Sequence, residues 1–293
     1  MRRRGIIAII RLMRHHDIVV FYHKDCFDGF GAAYAAWKKF KDKAAYAPLG
    51  HSLEPVKISG KKEIYFLDFC YNSQKVMDDI IRSNEKVVII DHHITNEKVV
   101  KSMPYHSYDI NHSGATLAWQ YFHPKNTMPK ILANIEDQDL WKFKLPFTKE
   151  VNAMLDLYDF DFKIWDKIIK DFENHAKRKK YIEMGKYALA HKESMVKRAV
   201  NRADKGVFEG YDVLISNSSF FTSEIGNALV KTGAEAAIIW NQQKGQTHVS
   251  LRADKSGKID VSKIAAKYGG GGHKAASGFG LPADKPFPWK ITK

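Results

Sequence analysis

Cysteine is scarce: Cys26 and Cys70 are the only two in 293 residues. A disulfide framework and a Cys-rich zinc module are thereby excluded, a reducing compartment is the natural setting, and any metal site is expected to use histidine and carboxylate. Long apolar runs are missing as well. Nothing approaches the roughly 20 consecutive apolar residues needed to cross a bilayer, so a membrane span is excluded. The stretch from Gly5 to Ile10 follows three arginines, but it stops at Arg11 without a small-residue cleavage site. Residues 1–16 are therefore expected to be a basic lead-in, with Met13 as an alternative start, and the protein is expected to be cytoplasmic. Internal repeats and low-complexity tracts are absent apart from a glycine run at Gly269. Acidic residues are the minority sign: 33 Asp plus Glu face 47 Lys plus Arg, giving a formal net charge of +14 and a pI near 9.5. Such a surface favours polyanions, nucleic acid first among them, and says nothing about the fold. The length allows one large or two ordinary domains, each able to bury a real core.

From Asp17 to Leu140, short β-branched runs alternate with helical stretches, the pattern of a parallel sheet covered by helices. Strands are predicted at Ile18–Tyr22, Glu63–Leu67 and Val87–Ile90, and each runs into His or Asp. In open α/β sheets ligands bind outside the carboxyl ends of the strands, so these side chains are expected to converge on one crevice. Helices are predicted from Phe30 to Lys41 and from Ser73 to Ser83, the second with Ser73 as N-cap. Between Asn174 and Lys205 the pattern is long, helical and free of proline, with ten basic and three acidic residues. This stretch is either a solvated helix face or an electrostatic surface for a nucleic-acid backbone, and both can hold at once. Strands resume at Tyr211–Ile215, Ala236–Trp240 and Thr247–Leu251. The expected architecture is α/β: a parallel-sheet domain over 17–173 with helices on both faces, a basic helical linker over 174–205, and a smaller α/β domain over 206–293.

The first strand is followed by His23-Lys-Asp25-Cys-Phe-Asp28-Gly, one imidazole and two carboxylates within six residues. The glycines after them let a helix begin close to a ligand. Alone, an Asp-Gly pair after a strand reads equally well as a turn and helix cap. Asp68 closes the second strand and also reads as a cap until its neighbours are counted. The third strand runs into Asp91-His92-His93, and Glu136, Asp137 and Asp139 follow where a helix is predicted to end. Adjacent histidines such as His15-His16 are commonly incidental; the strand context sets His92-His93 apart. Together these segments offer at least six O and N donors. Carboxylate plus imidazole suits Mn²⁺ or Mg²⁺, and the number of donors exceeds what one ion needs, so two divalent ions are implied.

This ordered set resembles the DHH phosphoesterases. Downstream, Val249-Ser-Leu-Arg252, Ile259–Ala265 and Gly269-Gly-Gly-Gly-His273 resemble the DHH-associated C-terminal domain, which binds substrate in that family. The resemblance covers about residues 17–281 and is nearest to the nanoRNase-like and RecJ-like branch. It implies that His23, Asp25 and Asp68 hold one ion, and that Asp28, Asp68, His92 and Asp139 hold the other, with Asp68 bridging. Asp137 is the alternative last ligand. The two carboxylates of the first motif are three residues apart, where related branches usually have two. His93 would face the substrate phosphate and Asp91 would orient its neighbours. Arg252, Gly270, Gly271, Gly272 and His273 are the implied substrate-binding residues. Four glycines in a row often make a flexible linker, but a predicted helix, Val261–Lys267, leads in and an apolar strand-like segment leads out. Glycines so placed let backbone N–H groups approach an anion. No Gly-Lys-Ser/Thr follows, which excludes a Walker A loop.

The activity implied is two-metal hydrolysis of short single-stranded RNA or DNA to nucleoside monophosphates, with Mn²⁺ the expected ion and Mg²⁺ the alternative. Tyr71, Phe220 and Phe221 are candidates for base stacking, though aromatics at strand ends more often belong to the core. A small-molecule phosphatase or phosphodiesterase acting on 3′-phosphoadenosine 5′-phosphate or a cyclic dinucleotide remains an alternative, as does an exopolyphosphatase. A non-catalytic nucleic-acid-binding module is a third reading, disfavoured because clustered carboxylates repel one another without metal. A homodimer is compatible with each.

Overall fold

The computed structural model describes Met13, residues 15–50 and residues 55–292, so most of the lead-in expected at 1–16 lies outside the described residues. The chain divides into two compact units between Leu189 and Ala190. The first begins with β1 (Ile18–His23), α1 (Phe27–Phe40), β2 (Ala44–Leu49), β3 (Glu63–Leu67), α2 (Gln74–Arg82), β4 (Lys86–Asp91), α3 (Glu97–Ser102) and β5 (Tyr105–Tyr108). It continues through α4 (Gly114–Phe122), α5 (Lys130–Asp139), α6 (Thr148–Leu155) and α7 (Phe162–Glu173) into the first half of α8 (His175–Val200).

The five strands pair in parallel, in the order β2-β1-β3-β4-β5. Buried on both faces, the central strands read as near-continuous apolar runs, and successive side chains serve opposite cores. Val20, Tyr65, Leu67, Val88 and Ile90 pack towards α1, α4, α5 and α7. Val19, Phe21, Ile64, Phe66, Val87 and Ile89 face the other way, with Met77, Ile80 and Val100 of α2 and α3. The chain leaves β1 for β2 on one side and returns through β3 on the other, so the order reverses at the β1/β3 boundary, where α/β sheets open a crevice. The carboxyl ends of β1, β3 and β4 lie side by side there.

Two strands of this first unit were not legible in the sequence. β2 carries Pro48 and β5 is a short, largely polar segment, and both are edge strands, where a missing donor or an exposed side chain is tolerated. The helix expected from Phe30 begins at Phe27, because Asp28 and Gly29 already belong to its first turn. Ser73 holds the N-cap position of α2 without a capping hydrogen bond from its side chain. The packing of α7 against α1 is tied by one carboxylate: Asp166 accepts from Tyr34 Oη at 2.9 Å and Lys38 Nζ at 2.9 Å, and pairs with Lys170 Nζ at 2.6 Å.

The second unit contains β6 (Asp204–Phe208), β7 (Tyr211–Asn217), α9 (Thr222–Lys231), β8 (Ala236–Gln243), β9 (Gln246–Ala253), α10 (Val261–Lys267), β10 (Gly271–His273), β11 (Ala276–Pro282) and β12 (Lys290–Ile291). Its mixed sheet runs β10-β11-β9-β8-β7-β6-β12, with β7 and β8 the parallel pair. One face buries Val213, Ile238, Leu251, Val261 and Phe279; the other packs Ala237 and Ile239 against Ile225 and Leu229 of α9. The glycine run expected as a phosphate loop is partly an edge strand, since Gly271 and Gly272 pair antiparallel with Gly278 and Ser277. A Cβ at Gly270 would lie 2.1 Å from the Gly278 carbonyl oxygen, so close backbone packing alone accounts for that glycine. No described helix is long and apolar enough to cross a membrane.

Burial would push the Asp166 carboxyl up, but hydrogen bonds from Lys170, Lys38 and Tyr34 outweigh it and hold the group down at about 2. A carboxyl depressed in the folded state contributes stability above its unfolded value of about 4 and loses it as the pH falls. Asp166→Asn should therefore lower the urea midpoint at pH 7, and the gap from the wild type should close between about pH 4 and the folded value of about 2. Urea melts of both proteins across that range test the tie.

Candidate metal centre

At the end of β1, His23 is followed by a left-handed residue, Asp25 (φ 54°), and then by the extended N-cap Cys26 (φ −136°, ψ 135°). α1 starts at once, and Asp28 is buried in its first turn. Gly29 is required by closeness, because a Cβ there would lie 2.2 Å from the carbonyl oxygen of His23. At the end of β3 the chain turns at Asp68 (φ 54°), a conformation that Asp tolerates better than most residues. β4 delivers Asp91, His92 and His93, and α5 ends at Asp139.

These elements bring Asp28, Asp68, Asp139, His23, His92 and His93 together. His92 Nε2 lies 3.3 Å from Asp68 Oδ1, 3.5 Å from Asp139 Oδ2 and 3.7 Å from Asp28 Oδ2. His23 Nδ1 lies 3.4 Å from Asp68 Oδ2, and His93 Nδ1 lies 3.8 Å from Asp68 Oδ1. Asp68 thus stands between two groups of donors. Three sets have their ligand atoms within 4.8 Å of one another: His23/Cys26/Asp68, Asp68/His92/His93 and Asp28/His92/Asp139.

Charge explains why this assembly calls for a cation. Burial raises the Asp28 carboxyl well above the usual range, and the neighbouring charges of Asp68 and Asp139 push it further. Desolvation within the cluster raises Asp139 too, although its side chain keeps 28% exposure. Burial alone would lower His92, but the adjoining carboxylates, Asp68 first and then Asp139 and Asp28, reverse this and lift it to about 11. Asp68 is opposed by burial, yet the imidazoles of His23, His92 and His93 beside it hold it far below the ordinary carboxylate range. Asp68 Oδ1 is nevertheless a buried oxygen with no hydrogen-bond partner. An orphaned carboxylate oxygen amid imidazoles and further carboxylates is the donor chemistry of a divalent ion, so the residues fit such a group.

Asp91 has a separate task. Its Oδ1 accepts from the backbone of His92 (2.7 Å) and His93 (3.1 Å) and lies 2.7 Å from His93 Nδ1, while Oδ2 accepts from Asn96 (2.7 Å). It therefore orients the His93 ring. Asp137 is committed elsewhere: it accepts from the backbone of Lys144 (2.8 Å) and Leu145 (3.0 Å) and from Thr148 Oγ1 (2.6 Å), bracing the turn after α5. Asp25 does not join the cluster; its side chain is 80% exposed and lies 3.3 Å from Lys24 Nζ. In its place the structure turns Cys26 towards His23 and Asp68.

The sequence reading also missed Ser113-Gly114-Ala115, which opens α4. Ser113 caps the helix by accepting from Thr116 N, and the Gly114 and Ala115 amides donate to Asp28 Oδ2 and Oδ1 at 2.7 and 2.8 Å. A Cβ on Gly114 would lie 2.5 Å from Asp68 Cβ, so glycine is obligatory there. A serine N-cap followed by glycine was the available signal, since a helix N-terminus favours anions.

In the second unit, Arg252 donates to the Leu251 carbonyl at 2.9 Å and to Ser223 Oγ at 2.6 Å, and burial lowers its guanidinium to about 10. His273 ends β10, half-buried. Of the aromatic candidates, Tyr71 belongs to the core beside Phe66 and Phe69, its hydroxyl accepting from Val56 N at 3.1 Å. Phe220 is 74% exposed, and Phe221 next to it is half-buried with Lys192 Nζ 5.0 Å from its ring centre.

Two family models match the chain. The model of the DHH family, N-terminal domain, matches residues 17–140, and that of the DHHA1 domain matches residues 222–287. An uncharacterized protein of Acanthamoeba polyphaga mimivirus is 30% identical over 91% of this chain and 68% of its own length. The oligoribonuclease NrnB of Bacillus subtilis is 26% identical over 79% of this chain and 63% of its own. The chain thus spans about two thirds of the length of these relatives. A solved DHH domain from a member of a family of ribosomal proteins superposes with a TM-score of 0.57 at 14% identity, over 94% of this chain and 86% of that one. The chain belongs to the DHH phosphoesterase family.

Asp139 and Asp137 are separable by experiment. Asp139→Asn should weaken Mn²⁺ binding by more than about tenfold, with unfolding little changed. Asp137→Asn should lower stability by about 1.5–3 kcal/mol, the scale of hydrogen bonds to a charged group. Calorimetric titration and urea melts of both variants check the assignment.

Proposed function

We propose that the protein is a metal-dependent phosphodiesterase that removes nucleoside monophosphates from short single-stranded oligonucleotides. The observation that carries this reading is the His92 imidazole ringed by Asp28, Asp68 and Asp139, with His23 on the far side of Asp68. Asp28, His92 and Asp139 would hold one divalent ion, His23 the other, and Asp68 would serve both. When bound, such ions lower the pKa of water, polarise the phosphoryl oxygens and stabilise the charge that builds up in an in-line displacement. Mn²⁺ suits this mostly oxygen and nitrogen donor set, and Mg²⁺ is the alternative.

The protein's own contribution is positioning. Asp91 fixes the orientation of His93, which we assign to the substrate phosphate. The α4 amides hold Asp28 rigid, and Gly114 lets that helix end approach Asp68. Arg252, a planar fork suited to phosphate, together with Gly270, Gly271, Gly272 and His273, would bind the substrate from the second unit. Kinship with an oligoribonuclease supports an oligonucleotide substrate.

A second observation favours a strand over a small nucleotide. A groove of about 910 Å³ runs along α5, the end of α7 and the start of α8, and its lining includes Lys130, Phe147, Arg178, Lys179, Lys186 and Tyr187. Phe147 and Tyr187 are 44% and 74% exposed, and Lys186 Nζ lies 6.0 Å from the Phe147 ring centre. Cations interleaved with open rings match a single strand, whose phosphates are charged and whose bases stack.

Two outcomes are expected. On labelled RNA and DNA of two to about twenty nucleotides, with 3′-phosphoadenosine 5′-phosphate, a cyclic dinucleotide and polyphosphate alongside, mononucleotides should appear stepwise from the oligomers. Asp68→Ala should lose at least about a thousandfold in rate, as several kcal/mol of metal stabilisation convert at about 1.4 kcal/mol per tenfold. Turnover confined to the small nucleotides or polyphosphate would move the substrate while keeping the site. Reversing Lys179 and Lys186 to Glu should weaken longer strands more than dinucleotides and flatten the salt dependence by about one unit of slope per lost phosphate contact.

A further inference from the structure

The segment between β1 and α1 decides which side chain completes the His23 side of the centre. Backbone geometry alternates there. Asp25, in the left-handed region, sends its carboxylate outward to 80% exposure beside Lys24. Cys26, extended at the N-cap of α1, is turned inward, and its Sγ shares a 4.8 Å neighbourhood with one ligand atom each of His23 and Asp68. Its carbonyl accepts from Phe30 N at 3.0 Å in the first turn of the helix, which fixes the residue at that point. A lone cysteine is no site by itself. Here it stands beside a carboxylate already aimed at the same imidazole: Asp68, 2% exposed, brings Oδ2 to 3.4 Å from His23 Nδ1, while its Oδ1, on the His92 side, is a buried oxygen with no hydrogen-bond partner.

We propose that Cys26 Sγ, rather than Asp25, is the third protein ligand of the ion held by His23 and Asp68. This rests on reading the cluster as a two-ion centre. Binding there exchanges a thiol proton for the cation and releases the proton to solvent. A nitrogen, sulfur and oxygen donor set is softer than the carboxylate-rich set of Asp28, His92 and Asp139. The two positions therefore differ in ion preference: the His23 position takes Zn²⁺, Co²⁺ or Cd²⁺ ahead of Mg²⁺, and the His92 position accepts Mn²⁺ or Mg²⁺. Cys70 makes no such set: it is buried in the core with Phe66 and Phe69, and no group of candidate ligands among the described residues includes it.

Cobalt titration of the full chain under reducing conditions tests the assignment without an activity readout. Wild type should develop a sulfur-to-cobalt charge-transfer band in the near ultraviolet alongside the visible bands of bound Co²⁺. Cys26→Ser should lose the charge-transfer band and weaken one bound equivalent by at least about tenfold. Cys70→Ser should keep both features. Cys26→Asp, the conservative restoration of a carboxylate, should recover the bound equivalent without the sulfur band. A sulfur band that persists in Cys26→Ser, or visible Co²⁺ bands in wild type without any sulfur band, would overturn the ligand assignment alone. Failure of wild type to bind Co²⁺ at all, or binding indifferent to Asp139→Asn and Asp68→Asn, would overturn the two-ion centre as well.

Discussion

The molecule is organised around a repulsion. Asp28 and Asp68, both buried, and Asp139, more open to solvent, arrive from three separate elements and surround one imidazole. Like charges brought together out of water destabilise one another, and each must be compensated by a hydrogen bond, a protonated base or a cation. The surrounding structure supplies the first two kinds of compensation in part. α4 points two amides at Asp28; His23 and His92 flank Asp68; and Asp91 spends one oxygen on the His92-His93 segment and the other on Asn96. What remains is one orphaned carboxylate oxygen on Asp68, the residue common to both donor groups.

The parallel sheet makes this concentration of charge attainable. Its strands are apolar on both faces and bury their side chains in two cores, so only their carboxyl ends are left to carry polar side chains. Because all five run the same way, three of those ends meet at the boundary where strand order reverses. Close approach does the rest. Gly29 lets α1 begin against the His23 carbonyl, and Gly114 lets α4 reach Asp68; in both places a Cβ would overlap an atom of the site. These glycines act through the space they leave open rather than through flexibility.

Much of this was legible in one dimension. The apolar runs ending in His and Asp, their order and the DHH triplet located the parallel sheet, the edge where its His and Asp side chains gather and most of the side chains that meet there. The edge strands β2 and β5 were hidden because an edge carries weak patterning, and Ser113-Gly114 was hidden because its partner Asp28 lies far away in sequence. Asp25 and Asp137 were plausible ligands by residue type and spacing. One is turned outward by a left-handed backbone, and the other is consumed by the turn after α5.

Sequence by itself determined the class of fold and the family, and it picked out most of the His and Asp side chains that gather at the sheet edge, since periodicity and ordered short motifs are local properties of the chain. Only the tertiary structure decided which carboxylate joins the His92 cluster and which braces the turn after α5, and that Cys26 faces His23 and Asp68 where Asp25 does not. It also showed that the glycine run is in part an edge strand. The reason is the same in each case: a motif specifies which side chains are near one another along the chain, but one backbone dihedral or one distant helix end determines which of them points inward.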